Sequence, residues 1–480
     1  MTDLPDLPDA SANSAPDASA PTPAATSTAD AASTTAPPAP AFAVKKRDYP
    51  LLLWGQFFGA FGDNALLAVI LGPLLFQKQH GQLTESAFRD ANVLYTALLF
   101  VPCVLLAPAA GFLNDRFPKT TCLVGANALK LTGAAVCASG AALGGVAGAW
   151  LLGAGYFVVG AGTCFYGPAK YGVLPEILPR VRLVGANGMV EMLTLLAVLG
   201  GFIAGSALAD AFRGNILAPH AVVLGVYTVS LVLNAGMSRT PSRPQTRLAA
   251  SAGEFLRHAR ALLVDSPRTR LILIGTVAFW FAGATMKTHF QPWGEGVLRL
   301  GSNKEISLLA LALSIGVMVG SLLAGWLHKV GDLRRAPLYA ALLAAVLAPA
   351  WTVGLLDFWF NADVSLQIGG ETLRLILPVD ALLVFAGVFA GLFLIPFNAA
   401  LQAETDPAKM GKTIAVQNAL DYLGMCLGAA YLFAANAAGI SAGGVFLGLA
   451  FFMAAVAAVL AAGNRRATAA ATAAATAAEK

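Results

Sequence analysis

Five charged side chains stand inside stretches of this chain that are otherwise apolar. Asp63 lies within WGQFFGAFGDNALLAVILGPLLF (54–76), with Asn64 beside it and no basic neighbour in sequence. Lys130, Glu191, Lys287 and Asp421 occupy four more such stretches. A charged side chain at the centre of a membrane helix costs about 2.5–3.5 kcal/mol on insertion scales, so a chain that keeps five must face them to a wet cavity or to partners. Their neighbours recur at helical spacing. Gln56, Gly59 and Asp63 form one polar stripe; Asn187, Glu191 and Thr194 a second; Gln417, Asp421 and Gly424 a third; Asn127 and Lys130 sit three apart.

Carboxylates and ammoniums lining one cavity can bind a charged solute, pair with each other, or carry a proton. All three roles are open to Asp63, with Lys287 as the expected ion-pair partner. Lys287 is read as an anion-binding group or as the structural partner of Asp63. For Lys130 the alternatives are a ligand role and a pair with Glu191 inside the first half of the chain.

The elements that must hold these groups are membrane helices. The chain has 480 residues, of which 57% are hydrophobic and only 12% charged, about half the charge of a soluble domain. Apolar runs long enough to cross a bilayer recur twelve times, near 50–76, 91–113, 120–141, 146–166, 183–209, 218–237, 270–294, 306–327, 337–356, 376–400, 412–436 and 440–462. The five cysteines (Cys103, Cys122, Cys137, Cys164 and Cys426) all fall in these runs without a CxxC pair, which reads as buried thiols rather than a metal or disulfide framework. No cofactor is called for. Residues 1–47 open with a Pro/Ala/Ser/Thr-rich stretch that lacks a basic start and an apolar core, and read as a disordered cytoplasmic tail rather than a signal peptide.

With both termini in the cytoplasm, 23 basic residues fall on the cytoplasmic side (Lys170 among them) and six on the other, as the positive-inside rule requires. The boundaries follow: an N-terminal six-helix bundle (48–237), a cytoplasmic linker (238–269), a C-terminal six-helix bundle (270–464) and a low-complexity tail (465–480). Within the linker, EFLRHARALL is amphipathic and is expected to form a helix along the membrane surface, as a lipid-sensing element or as a plain solvated linker helix. The halves echo each other. GFLNDRFPK after the second run is answered by GWLHKVGDLRR after the eighth, and Pro168 precedes Glu176 by eight residues as Pro396 precedes Glu404. An all-α membrane protein of twelve helices in two duplicated bundles has the architecture of the major facilitator superfamily, with its site between the halves near the midplane.

Several stretches carry a closer resemblance. GFLNDRFPK (with Gly111, Asp115, Arg116 and Lys119) is similar to that superfamily's loop 2–3 signature, with Pro118 where a second glycine is usual. The resemblance implies that Asp115 contacts a helix N-terminus in the other half and that Arg116 pairs with a cytoplasmic carboxylate, with Arg334 and Arg335 in the corresponding place of the second half. QFFGAFGDNALL, GANALKLTGAA, YGPAKYGVLPE, LVGANGMVE, IPFNAALQ and AVQNALD together resemble the bacterial lysophospholipid transporter family over about residues 48–465. Membership implies a flippase-like facilitator of the inner membrane, moving lyso-phosphatidylethanolamine and lyso-phosphatidylglycerol to the cytoplasmic leaflet, where an acyltransferase restores the second chain. The family's embedded charges fall on Asp63 in the first helix, Lys170 after the fourth and Lys287 in the seventh, where arginine is typical. The acid of the tenth helix falls on Ala403, with Glu404 one residue later. The candidate substrate-binding set is therefore Gln56, Asp63, Asn64, Lys130, Lys170, Glu191, Lys287, Glu404, Gln417 and Asp421.

Two GxxxG pairs, Gly201/Gly205 in the fifth run and Gly316/Gly320 in the eighth, are placed by the superfamily resemblance where the halves meet, as tight packing or as a lateral gate. A proton-coupled exporter of drugs or metabolites shares the fold, the loop signature and an acid in the first helix. A lipid acyltransferase requires a His with an Asp five residues on, and none of the five histidines has one.

Overall fold

The computed structural model describes residues 45–241, 251–300, 303–356, 359, 362–368 and 371–478. Seven helices make the first half: α1 (Asp48–Gln79), α2 (Glu85–Leu105), α3 (Ala107–Arg116), α4 (Lys119–Leu143), α5 (Gly145–Ile177), α6 (Leu183–Ala211) and α7 (Leu217–Ala235). A short linker helix, α8 (Ser251–Arg260), leads to α9 (Pro267–Gly296), α10 (Asn303–Leu327), α11 (Ala336–Leu347), α12 (Leu377–Glu404), α13 (Met410–Ala437) and α14 (Ala442–Ala478). Before α12 the chain makes an antiparallel hairpin of β1 (Asp363–Ile368) and β2 (Glu371–Ile376).

Ten of these helices are long and apolar enough to cross a membrane. The other two crossings are α11, which a 3₁₀ turn extends to Thr352, and the more polar α13. The second crossing is made in two pieces: Pro102 sits inside α2 and Pro108 opens α3, and a missing N–H at each proline breaks the helical ladder around Leu106. The result is twelve crossings in two six-helix bundles.

Small residues let the helices of each bundle touch along their backbones. A methyl group added at Gly201 or Gly205 would meet the carbonyls of Phe61 and Ala65, so that pair packs α6 on α1. Gly316 and Gly320 likewise abut the carbonyls of Val384 and Val388 on α12. Both GxxxG pairs thus work inside their own halves and not at the boundary between them. The α6–α10 seam is made by other residues: Gly188 abuts the carbonyl of Ser321, and Gly325 abuts Gly185.

The linker helix differs from its expected surface position. Phe255 is buried in a cluster with Ala107 of α3 and Ala415 and Val416 of α13. Glu254 accepts from Lys412 Nζ at 2.8 Å, and His258 Nε2 lies 2.9 Å from Thr413 Oγ1. Phe255, Ala259 and Leu262 therefore pack on protein, and the helix bridges the two halves. Linker residues 242–250 and the tail residues 1–44 lie outside the described residues, and α14 carries helix through most of the expected C-terminal tail.

Candidate functional site

Asp63 sits at the middle of α1, where Gly62 leaves room for the Tyr227 ring to close over it. Its carboxylate accepts from Lys130 Nζ at 2.7 Å, Tyr227 Oη at 2.9 Å and Thr163 Oγ1 at 3.2 Å, and its backbone carbonyl accepts from Tyr156 Oη at 3.2 Å. Asp63 and Lys130 are both buried. The partner of Asp63 is therefore Lys130 of its own bundle, and not Lys287; the expected Lys130–Glu191 pair is not formed. Lys130 reaches Asp63 from α4 across the first bundle, where α5 and α7 supply the remaining partners of the carboxylate. Lys130 also lies 5.2 Å over the ring of Tyr166, whose hydroxyl accepts from Asn234.

Two neighbours on α1 are packing groups. Gln56 is buried between α1 and α6, donating to the Val190 carbonyl at 3.2 Å and accepting from Thr194 at 3.1 Å. Asn64 bonds back to the Ala60 carbonyl and is half-buried. Gln56 thus joins helices rather than lining a binding surface.

A second polar layer lies nearer the face that carries both termini. Because α5 runs on to Ile177, Lys170 is inside a membrane helix and not in a loop as the charge count assumed. Its ammonium stacks 4.5 Å over the ring of Tyr171. Tyr171 and Lys170 are the polar neighbours of the buried Glu191 carboxylate on α6. Across the boundary, Asp421 on α13 is buried beside Thr276 and Trp280 of α9, within electrostatic range of Glu191. Its Oδ1 has no hydrogen-bond partner among the described residues. Gln417, one turn away, donates to Asn398 Oδ1 at 2.7 Å.

Lys287 stands apart from both layers. It shares a helical face with Trp280, seven residues earlier, so it points to the side on which Asp421 lies. Twenty residues into α9, it is about 30 Å along the helix axis from the terminal face, against about 22 Å for Asp63 along α1. Its side chain is solvent-accessible. Among the described residues no carboxylate lies within ion-pair distance of it.

The two halves are clamped at the terminal face. Asp115 accepts from the backbone N–H groups of Gly411 at 2.6 Å and Lys412 at 3.3 Å, capping the N-terminus of α13. Gly111 makes room for this approach, since a side chain there would strike Lys412 and Ala415. Asn187 and Gln402 exchange two amide bonds, at 2.7 and 2.9 Å, between α6 and α12. Arg180 donates to the Ala403 carbonyl at 2.7 Å. Arg116 lies over the rings of Phe112 and Phe117. Glu404 is not a cavity residue: it accepts two 2.6 Å bonds from Arg268 at the end of its own half. Arg334 forks onto Asp332, and Arg335 is exposed nearby. Lys119, the last residue of the loop signature, pairs with Glu176 at 2.5 Å.

Several residues in this arrangement carry no sequence signal of their own. Tyr156, Thr163 and Tyr227 complete the Asp63 site from α5 and α7, but tyrosine and threonine are common in membrane helices and nothing in their spacing points at an acid on α1. Gln402 could be found only by pairing it with Asn187, and Arg268 only by asking what neutralises Glu404.

Two bundles of six helices, clamped at one face with buried charge between them, define a secondary transporter. Residues 52–429 match the Major Facilitator Superfamily, and the chain belongs to it. Known structures of that fold superpose on it. The human organic anion transporter MFSD10 (TETRAN) does so with a TM-score of 0.64 at 16% identity, covering 86% of this chain and 99% of that one. A bacterial homologue of the iron transporter ferroportin, in an outward-facing state, gives 0.61 at 15% identity over 88% and 99%. At those identities the likeness concerns the fold alone. Closer in sequence is the lysophospholipid transporter LplT of Yersinia pestis (strain Pestoides F), 33% identical over 376 residues, which cover 78% of this chain and 82% of the relative. The same identity and coverage hold for LplT of Yersinia pseudotuberculosis serotype O:3 (strain YPIII). Within the superfamily, this chain belongs to the lysophospholipid transporter family.

Proposed function

We propose that the protein moves lysophospholipids across the bacterial inner membrane, to the cytoplasmic leaflet, by alternating access between its two bundles. The observation that carries this reading is the kinship with lysophospholipid transporters over 78% of the chain, together with a solvent-accessible cation, Lys287, that has no ion-pair partner among the described residues. A lysophospholipid presents a phosphate, which Lys287 can meet with a charge-assisted hydrogen bond.

The excess of basic residues on the terminal face supports a cytoplasmic position for both termini; moving Lys170 into α5 leaves that excess at 22 to six. In that orientation the clamped face is cytoplasmic, and the cleft opens to the outer side, from which the lipid arrives. The single acyl chain stays in lipid if the halves part sideways along the α6–α10 seam. Asp63 and Lys130 then act as positioning residues that hold α1, α4, α5 and α7 together behind the site. Lysine at 287 offers a point charge where arginine would fork onto the phosphate, which suits a headgroup held by one oxygen. Delivery to the cytoplasmic leaflet places the product where an acyltransferase can restore its second chain.

The test is uptake of labelled lyso-phosphatidylethanolamine and lyso-phosphatidylglycerol by spheroplasts that lack their own transporter and express this one. Uptake above the empty-vector level, indifferent to a protonophore, is the expected result. Equal uptake with and without the protein would overturn the reading, and protonophore-sensitive export of a soluble compound instead would establish the proton-coupled exporter.

A further inference from the structure

Beyond the cleft, the terminal face of the second half carries a cavity of about 440 Å³ that the transport reading does not use. Leu327, Lys329, Asp332, Arg334 and Arg335 line it, in the turn between α10 and α11. Its volume is within the range of small-molecule sites. The turn is held in place from beneath. Gly331 adopts a left-handed backbone (φ 82°) that favours glycine, and its carbonyl accepts from Arg268, which is itself gripped by Glu404. Leu333 is buried, and its carbonyl accepts from Asn464 at 3.0 Å.

The charges in this cavity do not cancel. Asp332 takes two side-chain bonds and one backbone bond from Arg334, which holds its carboxyl at about 2, so that pair is ionised and internally neutral. Lys329 and Arg335 remain, both exposed, and neither has an ion-pair partner among the described residues. Two uncompensated cations therefore face one cavity. Its apolar lining is Leu327, 51% exposed; next to it in the chain, outside the cavity, Trp326 is 84% exposed at the very end of a membrane-crossing helix. An exposed tryptophan at that depth belongs to the headgroup level of a bilayer, and basic pockets at helix ends on that side suit lipid phosphates.

We infer that this turn is a binding site for the headgroup of an anionic phospholipid from the leaflet on the terminal face, with Lys329 and Arg335 on the phosphate and Trp326 and Leu327 against the glycerol and upper acyl chains. A free phosphate would satisfy the cations but has no use for the apolar edge, which is why the lipid is the chosen occupant. Through Gly331 and Arg268, an occupied site also steadies the ends of α9 and α12, where the Glu404 pair sits. The inference does not depend on which solute crosses the cleft.

The test uses the full chain in detergent micelles, titrated with phosphatidylglycerol or phosphatidylethanolamine carrying brominated acyl chains. Bromine quenches nearby tryptophan, and the Trp326 signal is the difference between the wild type and Trp326→Phe. Phosphatidylglycerol should quench at a concentration about tenfold below that needed for phosphatidylethanolamine. Lys329→Ala and Arg335→Ala should each weaken it about fivefold, and together abolish the headgroup preference. Arg335→Lys should keep it, which separates lost charge from misfolding. Equal quenching by both headgroups, or a preference that survives the double substitution, would overturn the site. So would displacement of the lipid by inorganic phosphate at matched concentration, since the ligand would then be a soluble anion.

Discussion

The buried pair of Asp63 and Lys130 makes the sharpest energetic prediction. In Asp63→Asn the amide keeps an oxygen for Tyr227 or Thr163, but Lys130 loses its counter-charge at 3% side-chain exposure. Breaking a buried ion pair by removing one partner costs about 3–5 kcal/mol, because the remaining charge is neither hydrated nor paired. Lys130→Met strands the carboxylate instead, although the tyrosine and threonine hydroxyls soften that loss to about 2–3 kcal/mol. The double variant leaves no charge behind and should be destabilised by only about 1–2 kcal/mol, a coupling of about 3–7 kcal/mol. Reversible denaturant unfolding of the four proteins in one detergent measures the cycle. Additive single effects, with a coupling below about 0.5 kcal/mol, would refute the argument that these two groups neutralise each other. A wild-type stability for Asp63→Asn would do the same.

Other expectations concern the clamp, the packing and the linker. Asp115→Asn weakens a charge-assisted cap on α13 and should shift the balance away from the clamped state by about tenfold; spin labels at the exposed positions Val181 and Trp326 should then report a longer distance between the halves. Gly320→Ala puts a methyl group against the Val388 carbonyl and should cost about 1–3 kcal/mol of unfolding stability. Burial, with Lys409 and Lys412 nearby, holds the His258 imidazole below its ordinary value. The docked linker therefore binds fewer protons than the undocked one, and docking should weaken as pH falls below about 6.5. A spin label at the exposed Leu256 should become more mobile at pH 5.5 than at pH 7.5, and His258→Gln should remove that difference.

Much of the architecture was legible because the forces that set it are local to the chain. Length and hydropathy mark the twelve crossings. The five embedded charges were visible because each is costly in lipid. Their pairing was not. Which carboxylate meets which ammonium depends on helix rotation and depth, and an acid on α1 can reach α4 or α9 with equal ease in a sequence. Asp63 was thus matched to Lys287 from the symmetry of the two halves, while the structure gives it to Lys130, and Glu404 proved to belong to Arg268. The GxxxG pairs misled for a related reason: the motif reports close packing but not the partner. Helix ends caused the Lys170 error: the continuous apolar run stops at 166, whereas α5 continues through Pro168 to Ile177 and buries Val173, Leu174 and Ile177.

The central claim is that lysophospholipid crosses this protein with its phosphate at Lys287. Its most direct test is the protein reconstituted in liposomes with fluorescent lysophospholipids of several headgroups. Wild type and Lys287→Arg should translocate them, and Lys287→Ala should fall about tenfold or more, the loss of a hydrogen bond to a charged group. A folded Lys287→Ala protein that moves lysophospholipid at the wild-type rate would contradict the claim.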